Sequence, residues 1–502
     1  MPASQQRRAL TLVPLVAIVY HEVSGGPFGV ETCVSAAGPF LTLVGFATFP
    51  LIWSVPEAII TAELCSLFPE NSGYVAWSTA AFGRRVGWVQ GALSWFSGVA
   101  DNALYPVLLA AYAQNAAPEL FDKDGYTRAA FVIAVTFALT AVNFRGIECV
   151  GIAAVVVAVV ALVPFVAFCI VGIFHGSLSP SNWLLDRHGE PFELRAASFE
   201  DVRWRPYLSV LFWNLNYWDS VSTLAGEVSE PGKTFPRALS YALLLVYATY
   251  LLPLLVGIGV SAGSEEEISR WKEGYFASIA KELGGWALTS ALLVASVASN
   301  AAQFITEMSS DSYQLAGMAE RGMLPRIFAA RSRYDTPYVG IIASASGIIL
   351  LGFFDFTSVV DMLNLLYVGS IVVEFAAWLV LRRRHLRDEH SASVFRIKAS
   401  TPVCVLMLTP AFFAMGLVTY FSSIITKIVL IVAILVALSL YEVQKWSVGV
   451  DNSAPDDDDD DDDARPREAS PLLRSSEGGG ERRRRCNCYY FCVTSCKLSL
   501  ID

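Results

Sequence analysis

Long apolar segments recur along almost the whole chain and constrain its fold more than any other feature. An α-helix needs roughly 20 apolar residues to cross the hydrocarbon core of a bilayer. About twelve segments of this kind lie between charged or turn-forming residues. Their approximate bounds are 9–36, 39–66, 86–113, 129–144, 149–174, 206–228, 238–262, 286–307, 338–354, 358–381, 401–421 and 423–442. The sequence therefore predicts an all-α membrane protein with about twelve transmembrane helices.

The charge content supports this class and argues against several others. Charged residues make up 16% of the chain, whereas a soluble domain carries about 25%. The net charge of −10 does not indicate a basic partner, because the eight consecutive aspartates 456–463 supply most of it. We find no nucleophile–base motif, phosphate-binding loop or metal-ligand cluster in the sequence. We therefore expect no enzymatic activity, no cofactor, no metal and no nucleic-acid partner.

Two of the apolar segments contain interruptions that a continuous helix does not tolerate. In the first, residues 22–31 read Glu-Val-Ser-Gly-Gly-Pro-Phe-Gly-Val-Glu, and glycine and proline both disfavour helix. In the sixth, the centre at 214–222 is polar and aromatic. Non-helical backbone at membrane depth is tolerated only where it is buried in protein or lines a wet cavity. A simple kink is the alternative interpretation of the first interruption.

The order of the interrupted segments predicts an internal symmetry. The sixth segment follows the first at an offset of five spans, so the two enter from opposite sides of the membrane, as two inverted repeats of five helices would require. The predicted site lies at the interface of the repeats, near the middle of the bilayer. We therefore predict discontinuous helices 1 and 6 in a five-plus-five core that spans residues 9–381. The remaining predicted parts are an N-terminus (1–8), a loop with helices 11 and 12 (382–444) and a disordered tail (445–502).

Lysine and arginine are unevenly distributed between the two sides, which predicts the orientation. They are denser in the connections on the same side as the N-terminus, for example at Arg84–Arg85 and Arg382–Arg384. With an even number of spans, both termini are then cytoplasmic. The connection 306–337 falls on this side, and we expect it to contain a turn at 308–312 and a short surface helix.

The side chains at the interruptions predict the charge of the ligand. Glu22 precedes the first interruption, Asp219 lies in the second, and Asp101 lies with Asn102 and Tyr105 on the third segment. No lysine or arginine occurs inside these segments. Carboxylates at membrane depth commonly mark a substrate or proton pathway. Together with aromatic walls, for which Trp213 and Tyr217 are candidates beside Asn216, they favour an amine-bearing cation with an apolar stem.

Buried carboxyls also suggest how transport is driven. A carboxyl in a poorly solvated cavity can take up a proton on one side and release it on the other. Glu22 and Asp219 are the candidates for proton coupling. Sodium coupling through Ser296, Ser299 and Asn300 is the alternative.

The motifs resemble those of one superfamily over most of residues 10–440. They are HEVSGGPFGVE (21–31), SVPEAIITAEL (54–64), FPENSGYVAW (68–77), SGVADNALYPVL (97–108), LFWNLNYWDSVSTLAGEV (211–228) and TEMSSDSYQLAGMAERGMLP (306–325). The chain resembles the amino acid–polyamine–organocation superfamily, and within it the plant-type polyamine uptake transporters. This resemblance implies the five-plus-five fold and proton-driven import of putrescine, spermidine or spermine, with paraquat as a further substrate.

The resemblance also assigns residues. Ser24, Gly25, Gly26 and Gly29 match the break in the first helix of the superfamily. Trp213 matches the gating aromatic of the sixth helix, and Asp219 matches the acidic position beyond it. The expected location is the plasma membrane, with the endoplasmic reticulum, the Golgi or another endomembrane as alternatives.

Two other functions stay open. A proton-coupled amino acid transporter of the same fold would need to hold a carboxylate, for which the N-terminal end of a half-helix is suited. A transport-inactive sensor is the second alternative. In the tail, the cysteines of 486–496 follow a run of arginines and are either a lipid-anchored segment or a dispensable extension.

Overall fold

The computed structural model describes residues 10–116, 126–354, 356–385 and 394–447, and these are almost entirely helical. The predicted N-terminus and nearly all of the predicted tail lie outside the described residues. The α-helices are α1 Leu12–Val23, α2 Glu31–Ile52, α3 Ser54–Leu67, α4 Tyr74–Phe82, α5 Arg84–Asn102, α6 Leu104–Ala116, α7 Tyr126–Asn143, α8 Ile147–Phe174, α9 Ala196–Glu200, α10 Trp204–Trp213, α11 Pro231–Ser261, α12 Glu265–Ser269, α13 Tyr275–Glu320, α14 Tyr338–Leu351, α15 Phe356–His385, α16 Thr401–Phe421 and α17 Ile424–Ser447.

The prediction of an all-α membrane protein is confirmed. Within the described residues, eight helical segments are long and apolar enough to cross a membrane. These are Glu31–Leu67, Tyr126–Asn143, Ile147–Phe174, Pro231–Ser261, Tyr275–Glu320, Ser358–Arg384, Thr401–Phe421 and Ile424–Lys445. Helices α1 and α14 are apolar but shorter. Helix α17 is almost wholly exposed along its apolar window, whereas α15 is mostly buried, so α15 packs centrally and α17 lies at the periphery.

Both interruptions are real breaks in the helical backbone. Helix α1 ends at Val23 and α2 begins at Glu31, and between them Gly25, Gly26 and Gly29 have φ values of +62°, +129° and +83°. Helix α10 ends at Trp213, and a 3₁₀ segment begins only at Ser220. Between them Tyr217 has a φ of +66°, which is rare for a residue with a side chain.

The expectation of a connection beginning at residue 306 is wrong. Helix α13 continues to Glu320, and the expected turn at 308–312 is buried helix. Its polar residues resemble a loop in sequence, but their side chains have partners on neighbouring helices. The amide of Gln314 donates to the Gly91 carbonyl at 2.6 Å and accepts from Tyr74 at 2.7 Å. The expected short helix occurs later, as a 3₁₀ turn at Arg326–Ala329.

Two acids of the apolar segments are paired with arginine. The carboxylate of Glu63 lies 3.0 Å from Arg382, and both side chains are buried. It also accepts from the indole of Trp378 at 3.1 Å. Asp361 pairs with Arg205 at the start of α10. These two acids therefore join helices rather than face a cavity.

We expect Arg382→Gln to lower the free energy of unfolding in detergent by about 3–5 kcal/mol, because it leaves the Glu63 carboxylate buried without its counter-charge. The matched control is Arg85→Gln, since Arg85 pairs with Glu442 at 3.4 Å on the surface. That exposed pair is worth about 0–1 kcal/mol. Equal losses of stability in the two variants would contradict the inferred role of the buried pair.

Candidate functional site

A cavity lies where the break after α1 faces α5, α6, α10 and α13. Its wall combines acidic, amide and aromatic side chains, and no lysine or arginine is among the described residues that line it. The lining residues are Glu22, Val23, Ser24, Phe28, Gly29, Asp101, Tyr105, Leu108, Trp213, Asn214, Glu273, Asn300 and Gln303. The cavity therefore presents acidic side chains at the point where the first helix is interrupted.

Side chains of α13 satisfy the exposed backbone of the first break. The hydroxyl of Ser299 donates to the carbonyl of Gly25, and the amide of Gln303 donates to the carbonyl of Ser24 at 3.3 Å. The Ser24 hydroxyl accepts from the Gly26 N–H at 3.1 Å. A Cβ on Gly25 would collide with the side chains of Gln303 and Ser299, so this glycine permits the close approach of α13.

A carboxyl group of α3 holds the second break. One oxygen of Glu57 accepts from the backbone N–H of Trp218 at 2.5 Å and from that of Asp219 at 3.3 Å. The Tyr367 hydroxyl contacts this same oxygen and an oxygen of Asp219, both at 2.6 Å. Glu57 therefore positions the irregular segment that carries Asp219.

Glu22 and Asp101 both accept hydrogen bonds from side chains of neighbouring helices. Ser310 donates a hydrogen bond to Glu22, and the indole N–H of Trp213 donates to Asp101 at 2.8 Å. The second oxygen of Glu22 is buried and has no partner among the described residues. An unpaired carboxylate oxygen away from water is costly. A bound cation or a proton would remove this cost, which is the chemistry expected of a cation site.

The structure divides the predicted site residues into two groups. Glu22, Ser24, Asp101, Tyr105 and Trp213 line the cavity together with Gly29. The others lie behind its wall, although most of them lie at the breaks: Gly25, Gly26, Asn102, Asn216, Tyr217 and Asp219.

The residues behind the wall have partners of their own. The Asn102 amide donates to the carbonyl of Phe304 at 3.3 Å, and the Tyr217 hydroxyl lies 2.6 Å from Ser97. Asp219 contacts Tyr367, as described above. The side chain of Asn216 is buried and has no hydrogen-bond partner within the described part of the chain.

Sequence reasoning missed several lining residues, among them Gln303, and named Asn300 only as an alternative sodium ligand. Asn300 and Gln303 lie on one face of α13, and Glu307 continues that face and accepts a hydrogen bond from Tyr105. The three-to-four-residue spacing of these polar side chains in an apolar helix was the available signal. Phe28 lies inside the first break, while Glu273 lies in a connection where sequence offers no such signal.

Known proteins that are similar to this chain belong to one family of membrane transporters. Residues 10–449 match the amino acid permease family. The polyamine transporter RMV1 of Arabidopsis thaliana is 46% identical over 435 residues, which cover 87% of this chain and 85% of the relative. The polyamine transporter PUT1 of Oryza sativa subsp. japonica is 45% identical over 440 residues, covering 88% and 79%. A probable polyamine transporter of Arabidopsis thaliana is 47% identical over 374 residues, covering 74% of each chain.

Gly25→Ala tests the packing of the first break. A left-handed backbone costs an alanine about 1–2 kcal/mol, and the collision with Ser299 and Gln303 adds roughly 1–3 kcal/mol. We therefore expect a clear fall in the thermal unfolding midpoint in detergent. The control is Gly176→Ala, which has a φ of +82° but no atom within 4 Å of the added Cβ. If both variants unfold at the same temperature, backbone conformation alone explains the loss and the close approach is unimportant.

Proposed function

The chain belongs to the amino acid permease family, and we propose that it imports polyamines by alternating access, driven by proton entry. It is a transporter rather than an enzyme, as the family and the named relatives indicate. The observation that carries the substrate proposal is the cavity wall, which presents Glu22, Asp101 and Glu273 and no basic residue among its described members. Putrescine, spermidine and spermine combine ammonium groups with methylene stems, so the acids and the ring of Trp213 complement both parts.

The proposed architecture contains more membrane spans than the eight long apolar segments described above. We place about twelve spans in the bilayer, with the ten that form the core arranged as two inverted repeats around the breaks. Both termini are placed in the cytoplasm, following the lysine and arginine bias. The protein is placed in the plasma membrane because of its resemblance to plant-type polyamine uptake transporters. In this arrangement the two half-helices around each break move against the rest of the core as the site changes sides.

The contact geometry of Tyr367 supports a proton at the second break. Its single hydroxyl hydrogen can be donated to only one acceptor, yet oxygens of Glu57 and Asp219 both lie 2.6 Å away. A proton on one of the two carboxyls, donated to the phenol oxygen, would satisfy both contacts. Releasing this proton would leave two carboxylates facing each other, which favours a rearrangement of the segment they hold. Asp219 is thus our first candidate for proton coupling, with Glu22 as the second.

An amino acid transporter of the same fold is the second candidate function. Such a substrate brings a carboxylate, and the N-terminal end of α2 is the natural place to bind it. In this chain Glu31 already occupies the first turn of α2, is buried, and accepts the backbone N–H of Gly274 at 3.1 Å. A second carboxylate there would be repelled. This observation favours polyamines over amino acids.

Uptake of labelled spermidine into proteoliposomes with an acidic exterior tests the proposed function. We expect uptake that collapses when the pH gradient is dissipated and that excess putrescine or paraquat reduces. Leucine should not compete, because its carboxylate meets an acidic wall. Arginine import without spermidine import would establish the rival function. Absence of import of spermidine, arginine and leucine alike would favour a transport-inactive sensor.

Asp219→Asn tests proton coupling. Asparagine keeps the shape of the side chain but cannot bind and release the proton, so we expect accumulation against a gradient to be lost while the thermal unfolding midpoint stays close to that of the wild type. Asp335→Asn is the control, because Asp335 is exposed and has a φ of +60°, which asparagine also tolerates. Normal accumulation by Asp219→Asn would remove this residue from the mechanism.

A further inference from the structure

Glu273 is the one acid among the described lining residues that lies outside an α-helix. It lies in the connection between α11 and α13, two residues before α13 begins, and its side chain is exposed. It nevertheless lines the same cavity as Glu22 and Asp101. The cavity therefore has two acidic ends, one at the first break and one at a connecting segment.

The position of Glu273 is fixed by its neighbours rather than by its own side chain. Trp271 is fully buried, and its indole N–H donates to the carbonyl of Ser261 at 2.8 Å. On the other side, the N–H of Gly274 donates to Glu31 at 3.1 Å. Since Glu31 begins α2, the connection is tied to the half-helix that follows the first break. The carboxylate is thereby held at the mouth of the cavity.

The other acids of this connection have partners, whereas Glu273 has none among the described residues. Glu265 lies 2.9 Å from His188, Glu266 pairs with Arg270, and Glu267 accepts the N–H of Gly263 at 2.7 Å. The adjacent Lys272 is absent from the described lining of this cavity and lines a different depression with Arg187 and Arg203. Glu273 thus offers a free negative charge to whatever enters.

A second unsatisfied group lies at the deep end of the same cavity. One oxygen of Glu22 is buried and has no hydrogen-bond partner in the described part of the chain, and Glu22 itself is 3% exposed. A ligand with a single cationic group satisfies one end only. A chain that carries an ammonium group at each end supplies a charge for both acids, and Phe28 and Leu108 of the same lining offer apolar surface to its methylenes.

We propose that Glu273 binds the outward-facing terminal ammonium group of an oligoammonium substrate and thereby selects such chains over monoamines. This inference rests on the proposed polyamine transport and adds a specificity residue to it. Glu22 and Asp101 receive the leading ammonium group, and Glu273 receives the trailing one. Because Glu273 is exposed, its contribution is that of a solvent-screened ion pair rather than a buried one.

The test compares two ligands of equal carbon number, putrescine and n-butylamine, as competitors of labelled spermidine uptake in proteoliposomes. For Glu273→Gln we expect the half-inhibitory concentration of putrescine to rise about two- to fivefold, and that of butylamine to stay unchanged. Glu266→Gln removes the same charge from the same connection but away from the cavity, and it should change neither value. Glu273→Asp, which keeps the charge on a shorter stem, should recover part of the preference.

The outcomes separate this inference from the proposed function. An equal shift for both amines in Glu273→Gln, or no shift for either, would overturn the role of Glu273 while wild-type spermidine uptake keeps the polyamine proposal intact. A putrescine shift of the same size in Glu266→Gln would overturn it as well, because the effect would then be the general charge of the surface. Absence of spermidine uptake by the wild type would instead overturn the polyamine proposal itself.

Discussion

Polar backbone groups exposed by the two breaks must find partners at membrane depth, and much of the structure serves that requirement. Neither break can bond to itself as a helix does, and water is scarce in the surrounding core. Helix α13 supplies Ser299 and Gln303 to the first break, and α3 supplies Glu57 to the second. These contacts bring together helices that are far apart in sequence. They also explain why α13 is polar along a buried face and why α3 carries a carboxyl group in an apolar environment.

The contacts that satisfy the breaks also divide into two groups the acids that sequence analysis had placed in one site. Glu22 and Asp101 face the cavity, where a cationic ligand can reach them, while Asp219 lies behind the wall with Glu57 and Tyr367. The separation is useful to a coupled transporter, because one group can hold the substrate while another holds the proton. The link between Asp101 and Asp219 is one hydrogen bond followed by a short stretch of chain. Trp213, which bonds Asp101, is followed six residues later by Asp219, across the backbone that Glu57 holds.

Helix α13 shows where sequence reasoning failed and why. The apolar segment 286–307 predicted this helix. The predicted end lies where serine, aspartate and glutamine replace apolar residues. In the structure those side chains are buried against other helices, so polarity in this stretch reports internal contacts and not exposure to water. Arg382 gives the same lesson. It was counted among the charges of a cytoplasmic loop, but its guanidinium is buried against Glu63.

The sequence by itself determined the all-helical membrane class, the order of the apolar segments, the positions of both breaks and the acidic character of the residues around them. The effects of glycine and proline on the helix, and the length of apolar segment needed to cross a bilayer, are local. They can therefore be inferred without knowing the fold. Only the tertiary structure decided which acids face the cavity, because an irregular backbone has no periodicity from which side-chain directions can be inferred. It alone also brought Glu273 to the cavity mouth. That placement depends on Trp271 and Gly274 anchoring a connection to helices distant in sequence, and no local pattern encodes such a contact.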